Sequence, residues 1–379
     1  MEQGIQREGK TGRDYFTGYE YKMLYDWDQY FEAIVQIYMG WPSDLIKNAV
    51  TIFLDHQHKS GHIPRSVPSN ALHDSEHVKP FLAQIAALVK RYYGEADWIL
   101  NGTYYPKLKR YLDYWLHDMD ANDNGLSEWM SAPHSGMDNQ HERAGHWHDR
   151  ICEGVDLNCY LCRETSAMAE LAADSGHLED TDRYRAHAAS LKENIRDHMW
   201  DDEDGAFYDL DMRTGVQTRV RSCAIFMPLW AQVATKEQAR QLVYEHLANP
   251  NNFWTPWPVS TMSRTEPGYS RTPLSTDVLG EETCNWRATV WVPVNYMIYH
   301  GLKNYGYTEL ASTLAYRTRH MVRQFGNHEW YDAETGEGRG LDPFWGWTLL
   351  AHFLEFEERT GEDPTQLIIG GKGDFGGSD

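Results

Sequence analysis

The stretch HVKPFLAQIAALVKRY (77–92) decides the fold class. Within it Phe81, Leu82, Ile85, Leu88, Val89 and Tyr92 recur at steps of three and four residues, which aligns them on one face of a helix. Further along the chain, Leu108, Tyr111, Leu112, Trp115 and Leu116 repeat the stripe. From Val155 onward, Leu157, Tyr160, Leu161, Met168 and Leu171 repeat it again. Thr235 followed by Gln238 forms a capping box that opens a helix through Val243 and Leu247. Further helices are predicted over 28–39, 43–57, 179–199, 287–303, 308–324 and 345–358, roughly eleven in all, and no segment sustains the alternation of a strand.

Between the helices lie acidic, glycine-bearing turns: Asp120-Ala-Asn-Asp-Asn-Gly, Asp201-Asp-Glu-Asp-Gly and Asp332-Ala-Glu-Thr-Gly, near Trp129, Phe207 and Trp330. They predict turns with short strand pieces at one end of helix pairs. The first matches half of a calcium loop, but Ser131 stands where that loop needs Glu, so it is read as a plain turn. No Ser-, Gly- or Pro-rich linker divides the chain before GGKGDFGGSD at its end, which has the composition of a disordered tail. The expected organisation is an extension over 1–9, one helical domain over 10–368 and a tail over 369–379. Helical hairpins in this number favour an all-α toroid with its site in the loops of one rim. A solenoid is the alternative, but no fixed repeat period supports it.

Composition narrows the function. The 56 acidic against 35 basic residues give a net charge of −21, a field that repels phosphate backbones and anionic membranes. Nucleic acid and membrane are therefore excluded as expected partners. The absence of any long apolar run and the polar start (MEQGIQREGK) point to a cytoplasmic protein, or to one whose leader was removed. Fifteen Trp and 23 Tyr exceed what a core needs. Such rings, apolar on the face and polar at the tip, suit a sugar, whose C–H face stacks while its hydroxyls bond. The five Cys have no regular spacing, and the CxxC of Cys159 and Cys162 lacks the second pair a zinc site wants. No metal and no cofactor are expected.

Hydrolysis of a glycosidic bond needs one carboxylic acid to protonate the leaving oxygen and a second carboxylate on the opposite face. Two carboxylates in aromatic-bearing loops answer that description. Asp138 lies in SGMDN (135–139), where Gly136 would let the backbone approach a ligand. Glu329 lies in NHEWYD (327–332).

These motifs, with VDLNCYLCRE (155–164), NWRATVWVPVNYMIYHGLKNYG (285–306) and EWYDAETGEGRGLDPFWGWT (329–348), stand in one order behind DWDQYF (26–31) and GHIPR (61–65). The ordered set resembles the (α/α)6-barrel enzymes of glycoside hydrolase family 63 and the related family 37 trehalases, from about Tyr25 to Trp347. The resemblance implies an inverting mechanism with Asp138 as general acid and Glu329 as general base, their carboxyls about 6.5–9.5 Å apart to admit a water. It also implies sugar contacts by Trp27 and Asp28, and a pocket shaped by Trp286, Arg287, Trp291 and Trp347.

Departures from the family pattern bear on the substrate. His134 and Pro133 precede the SGMD segment, Lys79 replaces a sugar-contacting Gln, Ala288 replaces a Gly, and QHER (140–143) follows Asp138, which makes Arg143 a candidate binding residue. Lys79 and His134 would add positive charge for an acidic aglycone; alternatively Lys79 neutralises a carboxylate such as Asp28. The leading reading is an inverting exo-acting α-glucosidase on a di- or oligosaccharide or small glucoside, monomeric or a small homo-oligomer. An α-mannosidase or a hydrolase of a glycosylated small acid such as mannosylglycerate is the alternative. A sugar epimerase using His134 or His146 and a non-catalytic sugar binder are the readings from other classes.

Overall fold

The computed structural model describes residues 2–18, 22–71, 73–146, 149–272 and 284–365. Among them the α-helices are α1 (Asp26–Tyr38), α2 (Asp44–Asp55), α3 (Leu82–Tyr93), α4 (Tyr104–Asp113), α5 (Ala132–Ser135), α6 (His141–Ala144), α7 (Val155–Asp174), α8 (Leu178–Asn194), α9 (Met227–Trp230), α10 (Lys236–Gln241), α11 (Val292–Asn304), α12 (Thr308–Phe325) and α13 (Leu350–Thr360). Wider turns prolong α4 to Asp118, α8 to Met199 and α10 to Leu247.

Six helices form a closed ring. α1 packs on α3, α3 on α7, α7 on α9, α9 on α11, α11 on α13, and α13 returns to α1. The helices that alternate with them in the chain, α2, α4, α8, α10 and α12, form the outer layer. Burial separates the two sets. Every residue of α1 from Asp26 to Ile37 is buried, as is α11 from Val292 to Leu302. α8 instead buries only Thr181, Tyr184, Ala188 and Leu191, a single stripe. An inner helix meets neighbours all round, whereas an outer one keeps a wet face. The all-α (α/α)6 barrel expected from the sequence is the fold observed.

The strands are two or three residues long and sit in the loops. The turns at 201–205 and 332–338 carry hairpins, pairing Asp201 with Ala206 and Tyr331 with Gly338. In the turn at 120–125, the Asp120 carboxylate accepts the N–H groups of Asn124 and Gly125 at 3.0 and 2.9 Å, so its oxygens serve the turn itself. The capping box of Thr235 and Gln238 is formed. Two helices begin later than their patterns predict. Residues before Leu82 are held by Asp26 through Lys79, and residues before Val292 form the strand Thr289–Val290. Residues 5–7, expected to lie in an extension, pair with 14–16, and that second strand packs on α2. The predicted tail lies outside the described residues. No helix among them is long and apolar enough to cross a membrane.

Candidate active site

The loop carrying Asp138 is built by buried polar contacts. Ser131 caps α5 by accepting from the His134 N–H and donates to Glu76 at 3.0 Å. Glu76 in turn pairs with Arg65 at 3.1 Å, and Arg65 also donates to the Pro133 carbonyl. Gly136 then turns the chain with φ +87°, where a Cβ would lie 2.8 Å from the Trp27 ring. The space a Cβ would take there is filled by the Trp27 ring. Burial pushes the Asp138 carboxyl above its usual range, and Arg65, Cys284, Lys79 and His141 pull against it.

The next residue ties this loop to the opposite wall. Asn139 donates to the Asn285 side chain at 3.1 Å, accepts the Trp286 N–H at 2.9 Å, and through its carbonyl accepts from Arg287 at 3.0 Å. From there the chain enters Thr289–Val290, which pairs with Trp330–Asp332: Thr289 faces Asp332 and Val290 faces Tyr331. Glu329 stands immediately before that strand, buried, with Oε2 accepting the Leu341 N–H at 3.0 Å. Gly340, φ +70°, lets the same oxygen lie against the backbone, where any Cβ would overlap it. Cys284, one residue before Asn285, feels the charges of both Asp138 and Glu329, which push its thiol up after burial has done so first.

A run of aromatic rings connects the Asp138 loop to Glu329. Trp27 lies 5.8 Å from Trp286, which stacks on Trp291 at 3.8 Å and 10°. Trp291 neighbours Trp330 at 6.3 Å and Trp347 at 5.8 Å. The Trp347 indole donates to the Glu329 carbonyl at 3.1 Å. Asp28 is the third residue of α1, with Tyr25 as the N-cap, so it is not a cap. Burial, then Asp26, pushes its carboxyl up to about 8, with Glu329 adding to the rise and Lys79 opposing it.

Four other expected contacts have different partners. The Lys79 ammonium is bound by Asp26 at 3.1 and 3.2 Å, and its backbone N–H donates to the same carboxylate. It neutralises Asp26 directly, where Asp28 or an acidic aglycone had been expected. His134 is fully buried and accepts the Met130 N–H at Nδ1 while Nε2 meets the His77 carbonyl at 2.8 Å. Those bonds fix a neutral ring, and burial and Lys79 hold its pKa well below the ordinary histidine value. His134 therefore supplies neither positive charge nor a free base. Arg143 is buried between Asp156 and Asp209, donating to the latter at 2.5 Å, and braces the loop instead of facing a sugar. Arg287 does orient a carboxylate, but it is the protein's own Glu142, at 2.8 and 2.9 Å, and its remaining bonds go to the Asn139 and Gly268 carbonyls.

Arg65, Asp26, Asn139, Cys284 and Gly340 were given no role from the sequence. Arg65, Asp26 and Asn139 lay inside quoted motifs, and Gly340 in the segment after Glu329. Cys284 had no signal, because a single thiol between two unrelated stretches becomes informative only when they meet.

Known proteins place this arrangement in a lineage. Residues 21–348 match the family described as the mannosylglycerate hydrolase MGH1-like glycoside hydrolase domain. A mannosylglycerate hydrolase of Rubrobacter radiotolerans is 30% identical over 201 residues, which are 52% of this chain and 42% of that protein. The cytosolic neutral trehalase of Saccharomyces cerevisiae is 32% identical over 179 residues, 44% of this chain and 22% of the trehalase. The chain thus spans under half the length of these curated relatives. Among solved structures, the family 63 mannosylglycerate hydrolase of Thermus thermophilus, in complex with glucose, superposes with a TM-score of 0.72 at 20% identity, covering 89% of this chain and 95% of that one. At that identity the superposition speaks for the fold. The family match covers most of the chain, so the chain belongs to the MGH1-like glycoside hydrolase family, a branch of family 63 related to the family 37 trehalases.

Proposed function

We propose that this chain is an inverting, exo-acting α-glycosidase that removes one hexose from a small partner. What supports the reading is the stitching of the Asp138 loop, through Asn139 and the 285–290 segment, to the strand that follows Glu329. Two carboxylates remote in the chain, Asp138 and Glu329, thereby come near enough to one residue, Cys284, for it to feel both charges. Asp138, whose carboxyl burial pushes up toward its protonated form, gives its proton to the glycosidic oxygen as the C–O bond breaks. Glu329, oriented by the Leu341 N–H, takes a proton from water, whose oxygen bonds the anomeric carbon from the opposite face. Asp28 in the wall beside Trp27 is suited to hold sugar hydroxyls.

For the partner, the family description and the R. radiotolerans relative favour a glycosylated small acid of the mannosylglycerate kind. The α-glucosidase reading, on a neutral disaccharide, is favoured by the pairing of Lys79, Arg65 and Arg287 with the protein's own carboxylates. A panel of mannosyl- and glucosylglycerate, trehalose and neutral α-glycosides, followed by proton NMR of fresh product, tests both points. The β-anomer should appear first; α-anomer first would refute inversion, and no released hexose from any member would refute exo-glycosidase action.

A further inference from the structure

Lys79, Gly136, Phe31 and Trp286 close on the Trp27 ring. The Lys79 ammonium lies over it at 5.4 Å from the centroid, within cation–π range. Gly136 meets its benzo edge, Phe31 packs against it at 6.0 Å and 73°, and Trp286 lies at 5.8 Å. Lys79 is itself fixed. Asp26 Oδ1 accepts from the Trp27 N–H at 2.7 Å and from the ammonium at 3.2 Å. Oδ2 accepts from the Lys79 N–H at 3.0 Å and from the ammonium at 3.1 Å. The Lys79 carbonyl accepts the Tyr111 hydroxyl at 3.2 Å, and both side chains of the ion pair are 2% exposed. So dry a pair adds little stability over two neutral side chains of the same size; what it can supply is one fixed arrangement. Here that arrangement is the start of α1 against the entry to α3, with a cation set on an aromatic ring.

We propose that Lys79, locked on Asp26, is a positioning residue for substrate binding: its ammonium sets the plane of the Trp27 ring before a sugar arrives. The inference rests on the reading of Trp27 as a wall of the sugar site. Asp26 pushes the Asp28 carboxyl up and Lys79 pulls it down, so removing both charges disturbs Asp28 less than removing either. The informative variant is therefore Asp26→Asn combined with Lys79→Met, which takes the ammonium away and leaves no buried carboxylate without its cation.

Wild type and the double variant are labelled with fluorotryptophan and followed by 19F NMR, with Trp27→Phe identifying the resonance. Circular dichroism melting checks the fold, and kcat and KM are measured on whichever glycoside the panel yields. The wild-type Trp27 signal should be single and sharp without ligand and keep its linewidth when mannose or glucose is added. The double variant should melt near wild type and split or broaden that signal. Its KM should rise by about fivefold or more while kcat falls less. A wild-type signal that sharpens only with sugar overturns the proposal, as does a folded double variant with a single sharp Trp27 signal or an unmoved KM. A double variant that fails to fold also overturns it, because the pair would then serve the fold alone. A broadened signal with no glycoside cleaved would support the hold on Trp27 and withdraw only the hydrolysis reading.

Discussion

Two of the buried acidic clusters among the described residues are opposites. In the site, Asp28 and Asp138 are pushed up by burial, and the cations near them are held by other carboxylates. Elsewhere, between α11 and the end of α13, His300 bridges Glu357 at 3.1 Å and Asp363 at 3.2 Å. Burial alone would lower His300, but Asp363 and Glu357 overcome it and raise the ring to about 10, while the imidazolium holds Asp363 well below its usual range. Tyr296 donates to Glu357 at 2.8 Å, and Thr365 donates to Asp363 at 2.7 and 2.8 Å. The second cluster has its countercharge built in and ties the chain after α13 to the ring. The first leaves charge uncompensated, which costs stability and reserves polar groups for a substrate.

The largest effect should come from the site. Asp138→Asn and Glu329→Gln should each lower turnover by roughly 10²–10⁴-fold with unchanged melting, as expected for lost general acid or base catalysis. Near-wild-type turnover in either would remove that residue from the mechanism. Next, His300→Ala leaves two carboxylates facing one another without their cation. Breaking a buried pair in this way costs about 3–5 kcal/mol, read by denaturant unfolding. A loss no larger than a surface substitution would show that His300 does not hold the cluster together.

The opposite sign is expected at Asp28. A carboxyl raised to about 8 carries no penalty below its unfolded value of 3.8 and a growing one as pH rises toward 8. Asp28→Asn should therefore stabilise the fold by about 1–3 kcal/mol at pH 8, do little at pH 4, and weaken hydrolysis. Equal stability changes at both pH values would break the contrast. His300 runs the other way, because its stabilisation is complete below its unfolded value of 6.5 and is lost as pH climbs through about 10. Wild-type melting temperatures compared with those of the His300 variant from pH 6 to 10 should converge.

The smallest effect expected is at Gly136→Ala. A Cβ at φ +87° facing Trp27 at 2.8 Å should cost about 1–2 kcal/mol and displace the ring, so that binding falls more than turnover does. Unchanged binding of the substrate would mean that the Trp27 ring is not a wall of the site.

The sequence by itself determined the long helices, because apolar spacing is a local property that burial preserves on inner and outer layers alike, but it missed α5, α6 and the ring helix α9, which at four residues are too short to show a stripe. It also marked Asp138, Glu329 and the tryptophans, since each sits in a short ordered motif. What it could not name was of one kind, the partners of its charged and polar side chains. Lys79, His134, Arg143 and Arg287 were judged by their charge or polarity, and only tertiary structure decided who would meet that charge. Asp26, the His77 carbonyl, Asp209 and Glu142 reach them from residues that no local spacing connects. Folding closes a ring of six helices and ties two distant loops together through Asn139, and there the energy of a side chain depends on its neighbours in space rather than in sequence.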